Sequence, residues 1–219
     1  MRPHSAYSAR VAVTVEELVV ADPGDAWVRA GFSVDSEAVC RVGGVRIRLA
    51  ATSGTGILGW SLGGLPPDFS LGDLDGIPTT RAGTVAGAPH EHANGVVAID
   101  HVVLMSPDLN RTVESLAAVG VEPRRERDGE LGGQPIRQIF FRLGEVIIEV
   151  VGSPETAAEG PSTLWGITYV VADIDAAAAF FGESTTPVKD AVQPGRRIST
   201  LRHQQFGISV PTALISARR

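Results

Sequence analysis

Lysine is almost missing from this chain: Lys189 is the only one, so arginine carries nearly all the positive charge. That bias reads as composition rather than function. Cys40 is the only cysteine, which excludes a disulfide within the chain and removes any pointer to an oxidising compartment. No uninterrupted apolar run approaches the roughly 18 residues that a membrane helix needs, so no membrane partner is expected. The opening MRPHSAYSARVAVTVEELVV lacks a long apolar core before its first acidic pair, which argues against a signal peptide. The expectation is a soluble, cytoplasmic protein. A net charge of −6 argues against nucleic acid as a partner, because phosphate backbones need a basic surface. Phosphate-binding G-x-x-x-x-G-K-[ST] is absent, and the matches to G-x-G-x-x-G (Gly54–Gly59) and G-x-S-x-G (Gly59–Gly63) fall along a run that reads as a strand, without the strand-to-helix turn either motif needs. Nucleotide binding and nucleophilic catalysis therefore have no support.

What is present is the makeup of an ordinary globular protein: 43% hydrophobic and 20% charged residues over 219 positions, enough for one large or two small domains. Residues 1–9 read as a loosely held arm. A strand is expected over 11–20, a turn at Ala21–Gly24, a short helix over 25–31, and a hairpin of 38–42 and 45–50 around Gly43–Gly44. Residues 56–65 read as one more strand. The Pro-, Gly- and Asp-rich span 66–94 reads as a linker or long surface loop. It holds His90 and His92, which are two apart and could form a metal clasp, although loop histidines are more often simply solvated.

The stretch from Gly95 to Gly152 organises the rest. A strand is expected over 96–105, a turn at Ser106–Asp108, a helix to about residue 119, and further strands ending in 146–151. Strict alternation would put Ile99, His101, Val103 and Met105 on one face and Asp100, Val102 and Leu104 on the other. Glu149 sits among Ile147, Ile148, Val150 and Val151. A histidine and a glutamate set into apolar strands need a partner, because burying either alone is costly. The run Arg124–Asp128 is mixed in sign and reads as a solvated strand or loop. After a linker at 153–162 come a strand over 164–172, a helix over 173–181, and closing strands at 197–202 and 207–215.

Three segments repeat one pattern, and a repeat changes the fold reading. The helix entries LVVADPGDAWVRAGF, VLMSPDLNRTVESLAAVG and YVVADIDAAAAFFG align, and so do the hairpins CRVGGVRIRLA and FRLGEVIIEVV. Each unit is strand, helix, then two or three strands, and must cover its sheet with another unit. These features resemble the vicinal oxygen chelate superfamily, which includes glyoxalase I, bleomycin-resistance proteins and extradiol dioxygenases. The specific part is Ile99 to Leu104, Pro107-Asp108-Leu109 opening the helix, and Glu149 in the last strand.

The resemblance implies an α+β fold of tandem βαβββ units whose sheets form an open, barrel-like cleft with the helices outside. The expected division is a degenerate unit at 10–65, a linker at 66–94 and a glyoxalase-like domain at 95–216, built from units 95–152 and 164–216. Three units leave one sheet face uncovered, so the first should pack on the flank or pair across a homodimer. Enzymes of this superfamily hold a divalent metal, with one ligand from the first and one from the last strand of each unit. Carried over, those positions are His101 and Glu149 in the central unit, but Gly166 and a residue near Ala213 in the last, which cannot ligate. His92, His203 or another subunit could supply a third ligand. No cofactor is therefore expected. Were a metal bound, Zn, Ni, Fe or Mn would suit the pair.

The leading expectation is a binder of a small aromatic or carboxylate-bearing molecule, with His101, Glu149 and Arg197 as orienting groups and Met105, Phe140 and Trp165 as stacking candidates. The loop 190–197 should border the cleft. The alternatives are a metal-dependent lyase, isomerase or dioxygenase in which His101 and Glu149 are catalytic, and a structural or regulatory dimer with a filled cleft.

Overall fold

The computed structural model describes residues 12–70, 72–83 and 87–218, so the arm expected at 1–9 lies outside the described residues. In chain order the elements are β1 (Thr14–Val20), α1 (Gly24–Arg29), β2 (Val39–Val42), β3 (Val45–Leu49), β4 (Ile57–Gly63), β5 (Gly72–Leu74), β6 (Ile77–Arg81), β7 (Val96–Met105), α2 (Leu109–Ala118), β8 (Pro123–Leu131), β9 (Gln134–Leu143), β10 (Val146–Gly152), β11 (Thr163–Val171), α3 (Ile174–Phe181), β12 (Lys189–Asp190), β13 (Arg197–Leu201) and β14 (Thr212–Ser216). Short 3-10 turns follow α3 and β13. The second of them lies at His203–Phe206, and the strand expected from residue 207 begins only at Thr212.

Local chemistry sets these boundaries. Asp108 caps α2 by accepting from the backbone N–H groups of Asn110 at 3.0 Å and Arg111 at 3.2 Å. Asp173 caps α3 in the same way, through Asp175 at 2.9 Å and Ala176 at 3.1 Å. The hairpin expected at Gly43–Gly44 pairs Val42 with Val45, and its aligned counterpart pairs Leu143 with Val146 around Gly144. Gly43 (φ 58°) and Gly144 (φ 68°) both need the left-handed backbone that such two-residue turns use.

The strands form two sheets. The eight-stranded sheet, ordered β12-β13-β14-β11-β7-β10-β9-β8, is a curled half-barrel. Its centre is the antiparallel pair β7–β11, flanked by the parallel pairs β7–β10 and β11–β14. The six-stranded sheet, β2-β3-β1-β4-β6-β5, repeats the arrangement: β1 and β4 run antiparallel at its centre, with β3 parallel to β1 and β6 parallel to β4.

The strands expected at 11–20, 38–42, 45–50 and 56–65 are β1 to β4 of this sheet, and its remaining two strands were not foreseen. Part of the span expected to be a linker, 66–94, folds as the β5–β6 hairpin and pairs with β4. The hairpin turns on Asp75–Gly76, a left-handed pair (φ 55° and 81°), and Asp-Gly was the available sequence signal. Asp75 also fastens the turn to the other sheet. It accepts from Arg111 Nε at 2.5 Å and from the hydroxyls of Thr112 and Ser162.

One continuous core joins both sheets, with Trp27, Trp60, Tyr169 and Phe141 its largest fully buried side chains. No helix among the described residues is long and apolar enough to cross a membrane.

Candidate functional site

The site is built around an irregularity in β7. Thr168 of β11 faces His101 while Tyr169 faces Ile99, so two residues of β7 advance against one of β11 and Asp100 is the extra one. Such a bulge re-aims side chains. It breaks the alternation expected from the sequence: Ile99 turns into the core, while His101, Val103 and Met105 stay half-buried. It also allows Asp100 to reach its own neighbour, with His101 Nδ1 lying 2.8 Å from Asp100 Oδ2.

Asp100 is the anchor of the cluster. Its other oxygen lies 2.5 Å from Arg196 Nη1, and both residues are buried. Burial works to raise the Asp100 pKa, but the hydrogen bonds from His101 and Arg196 and the charges of both outweigh it and hold the carboxyl at about 2. An ionised carboxylate only accepts, so His101 Nδ1 must carry the proton of their hydrogen bond. His101 Nε2 lies 3.4 Å from Glu149 Oε2. Glu149 accepts from Gln138 Nε2, and Gln138 Oε1 accepts from Arg127 Nε at 2.8 Å. Asp100, Arg196, His101, Glu149, Gln138 and Arg127 thus form one polar chain across the sheet.

Beside this chain opens a cleft of about 680 Å³, lined by His101, Phe140, Ile147, the loop Val192–Arg196 and six arginines. Its own side chains do not fill it. The arginines are Arg124, Arg125 and Arg127 from β8, Arg142 from β9, Arg196, and Arg218 beyond β14. Among the described residues no aspartate or glutamate lines it. Arg125 stacks over Phe140 with its guanidinium carbon 4.4 Å from the ring centroid.

The structure sorts the site residues that the sequence suggested. His101 and Phe140 line the cleft, and the loop 190–197 borders it. Glu149 stands beside His101 without forming part of the wall, and Met105 and Trp165 are not in the wall either. Arg197 turns away to bind Asp175 of α3, at 2.9 and 2.6 Å, and its neighbour Arg196 takes the place at the cleft. The run Arg124–Asp128, read as solvated, is edge strand β8. Its period-2 separation of Arg125 and Arg127 from Glu126 and Asp128 was the overlooked signal.

A metal centre can be tested against the donors present. The 3.4 Å between His101 Nε2 and Glu149 Oε2 could span one ion. The register puts Glu149 opposite Val103 and Ala213 opposite Thr168, at the same offset from the caps Asp108 and Asp173, so the counterpart of Glu149 is indeed an alanine. His92 is occupied at both ring nitrogens, accepting from Ser33 N–H at 3.0 Å and meeting the Arg41 carbonyl at 3.1 Å. His90 faces the Ser33 carbonyl at 3.2 Å, so the pair latches backbone rather than clasping a metal. His203 Nδ1 is tied to Ile208 O at 2.8 Å. Among the described residues no group of three His, Cys, Asp or Glu converges. Two protein donors beside an arginine-lined wall do not fit a centre with three or four protein ligands.

Residues 100–197 match the family described as Glyoxalase/Bleomycin resistance protein/Dioxygenase superfamily. That match covers just under half of the chain, the segment that also carries the resemblance seen in the sequence. The fold extends the likeness along almost the whole chain. A mutant 4-hydroxymandelate synthase from Streptomyces coelicolor superposes with TM-score 0.64 at 14% identity, covering 95% of this chain and 94% of that one. A catechol 2,3-dioxygenase gives 0.61 at 12%, covering 96% and 90%. A variant homoprotocatechuate 2,3-dioxygenase from B. fuscum gives 0.58 at 13%, covering 96% and 73%. At these identities the likeness is one of fold alone. Among curated proteins no sequence match is found.

Proposed function

We propose that the chain binds a small organic anion, carboxylate-bearing and with an aromatic or apolar body, in the cleft of the eight-stranded sheet. The observation that supports this is the wall itself: six arginines and no carboxylate around about 680 Å³, with Phe140 and Ile147 as apolar surface. The volume is that of ordinary small-molecule sites. Guanidinium forks match carboxylate oxygens, and the Phe140 ring offers a face for a flat body. A thermal-shift screen of aromatic carboxylates checks the reading. Stabilisation should occur in the wild type and be lost in Phe140→Ala and Arg142→Gln. Stabilisation that survives both substitutions would place the ligand elsewhere.

A second reading is favoured by one observation, the hydrogen bond of Asp100 to His101 Nδ1 at 2.8 Å. It fixes the tautomer and leaves Nε2 as the nitrogen able to take a proton from a bound molecule, with Glu149 beside it. In this reading the protein is an enzyme that moves a proton on its anionic ligand. Exchange of a ligand C–H for solvent deuterium, followed by NMR, would then be fast in the wild type and abolished in His101→Gln. Equal exchange in both proteins would remove the catalytic role and leave a binder.

A further inference from the structure

Ion pairing sorts most of the described arginines by place, the exceptions away from the cleft being Arg81, which donates to the Leu65 and Pro66 carbonyls, and the exposed Arg202. Away from the cleft, Arg29, Arg41, Arg46, Arg48, Arg111, Arg137 and Arg197 each have a carboxylate within 4.0 Å. In the cleft wall only Arg196 does, and that partner, Asp100, is shared with His101. Among the described residues Arg124, Arg125, Arg127, Arg142 and Arg218 have none. Their nearest partners are neutral: Gln138 for Arg127 and the Phe140 ring for Arg125. This occurs in a chain with 25 acidic residues against 19 basic, where a carboxylate is easy to supply. Five like charges brought round one concavity repel one another, and the fold bears that cost without the ligand.

We infer that the ligand of this cleft is at least a dianion, a small molecule carrying a phosphate or two carboxylates on an apolar body. The inference rests on the reading that the cleft binds a small anion, and adds its charge. One carboxylate engages one guanidinium fork and leaves four of the five charges unanswered. A phosphate dianion, or two carboxylates on one frame, accepts from several forks at once. The surrounding groups are arranged for this. Stacking on Phe140 and the hydrogen bond to Gln138 hold Arg125 and Arg127 in place and leave other N–H groups free to donate. Arg196 is committed to Asp100 and to the Ser216 carbonyl at 2.7 Å, so it shapes the wall rather than supplying a free charge.

Three probes with one phenyl ring separate charge from shape: benzoate, phthalate and phenyl phosphate. They are titrated calorimetrically into the full chain at fixed ionic strength and about pH 8, where the phosphate is doubly ionised. At least one of the two dianions should bind about tenfold or more tightly than benzoate. That gap should shrink in Arg124→Gln and in Arg142→Gln, both exposed positions where folding is not at stake, and added salt should weaken the dianion most. Which dianion wins identifies the headgroup as phosphate or paired carboxylate. Benzoate binding as tightly as both dianions, with all three weakened by the substitutions, would overturn the dianion inference and keep the small-anion cleft. Binding of none of the three, or binding indifferent to Arg142→Gln and Phe140→Ala, would overturn both.

Discussion

In the six-stranded sheet the nearly buried Glu17 stands between two arginines, 3.3 Å from Arg46 and 2.8 Å from Arg48. Around the cleft of the eight-stranded sheet stand six arginines, of which only Arg196 has a carboxylate partner among the described residues. Both sheets place charge on the face away from the shared core, and both are built on the same pairing of antiparallel centre and parallel flanks. One sheet answers its charge internally. The other answers only Arg196 among the described residues of its cleft wall. Equivalent architecture thus carries two electrostatic states, and in the proposed function the unanswered one is the side that would draw an anionic ligand.

The comparison breaks most severely at the one ion pair of the cleft. Asp100→Ala should destabilise the protein by about 3–5 kcal/mol, because it strands the buried Arg196 without a counter-charge. Chemical denaturation measures this. The same pair has a pH signature. The folded-state pKa of Asp100 lies below its ordinary 3.8, so its stabilisation is complete above about pH 4 and is lost as pH falls towards 2. The loss is about 2 kcal/mol, and acid titration of Asp100→Asn should lack it.

Glu17→Gln tests the other sheet. It leaves Arg46 and Arg48 facing each other, but Arg48 is half-exposed, so the expected loss is only about 1–2 kcal/mol. Affinity for anionic probes should not change, since Glu17 is not in the cleft wall. Arg142→Gln should behave in the opposite way. It relieves repulsion, so stability should hold or rise by about 0.5 kcal/mol while probe binding falls. Equal losses of stability from Glu17→Gln and Arg142→Gln would erase the distinction between the sheets. The smallest effect is expected at Cys40, on β2 of the paired sheet, whose thiol burial pushes up to about 12. Native protein should not react with a thiol reagent at neutral pH, and denatured protein should.

Much of the fold was legible because periodicity and caps are local signals. The strand at 96–105, the aspartate caps at 108 and 173 and the glycine turns at 43 and 144 all fell where their residue types require. The β5–β6 hairpin was missed because a three-residue strand with a proline-bearing partner has almost no period, and its Asp-Gly turn was submerged among other loop residues. The site was legible only in part. A histidine and a glutamate in apolar strands stand out singly, and the two do meet. The bulge at Asp100 depends on the register against β11, a non-local property that alternation cannot reveal. The choice between Arg196 and Arg197 is likewise non-local, since the last loop residue reaches Asp100 and the cleft while the first residue of β13 pairs with Asp175 of α3. The β8 run is largely exposed, as its mixed signs suggested, but the run does not show that the pleat puts Arg125 and Arg127 at the cleft, with Arg124 joining them beside the register shift at Pro123/Arg125.

The most direct measurement is the thermal midpoint in phosphate against chloride at matched ionic strength, for the wild type and for the double variant Arg124→Gln with Arg142→Gln. Anion binding to the folded state alone raises the midpoint by mass action, and the variant corrects for the general stabilising effect of phosphate on any protein. The account predicts a larger phosphate-induced rise in the wild type than in the variant. Identical rises in the two proteins would contradict it.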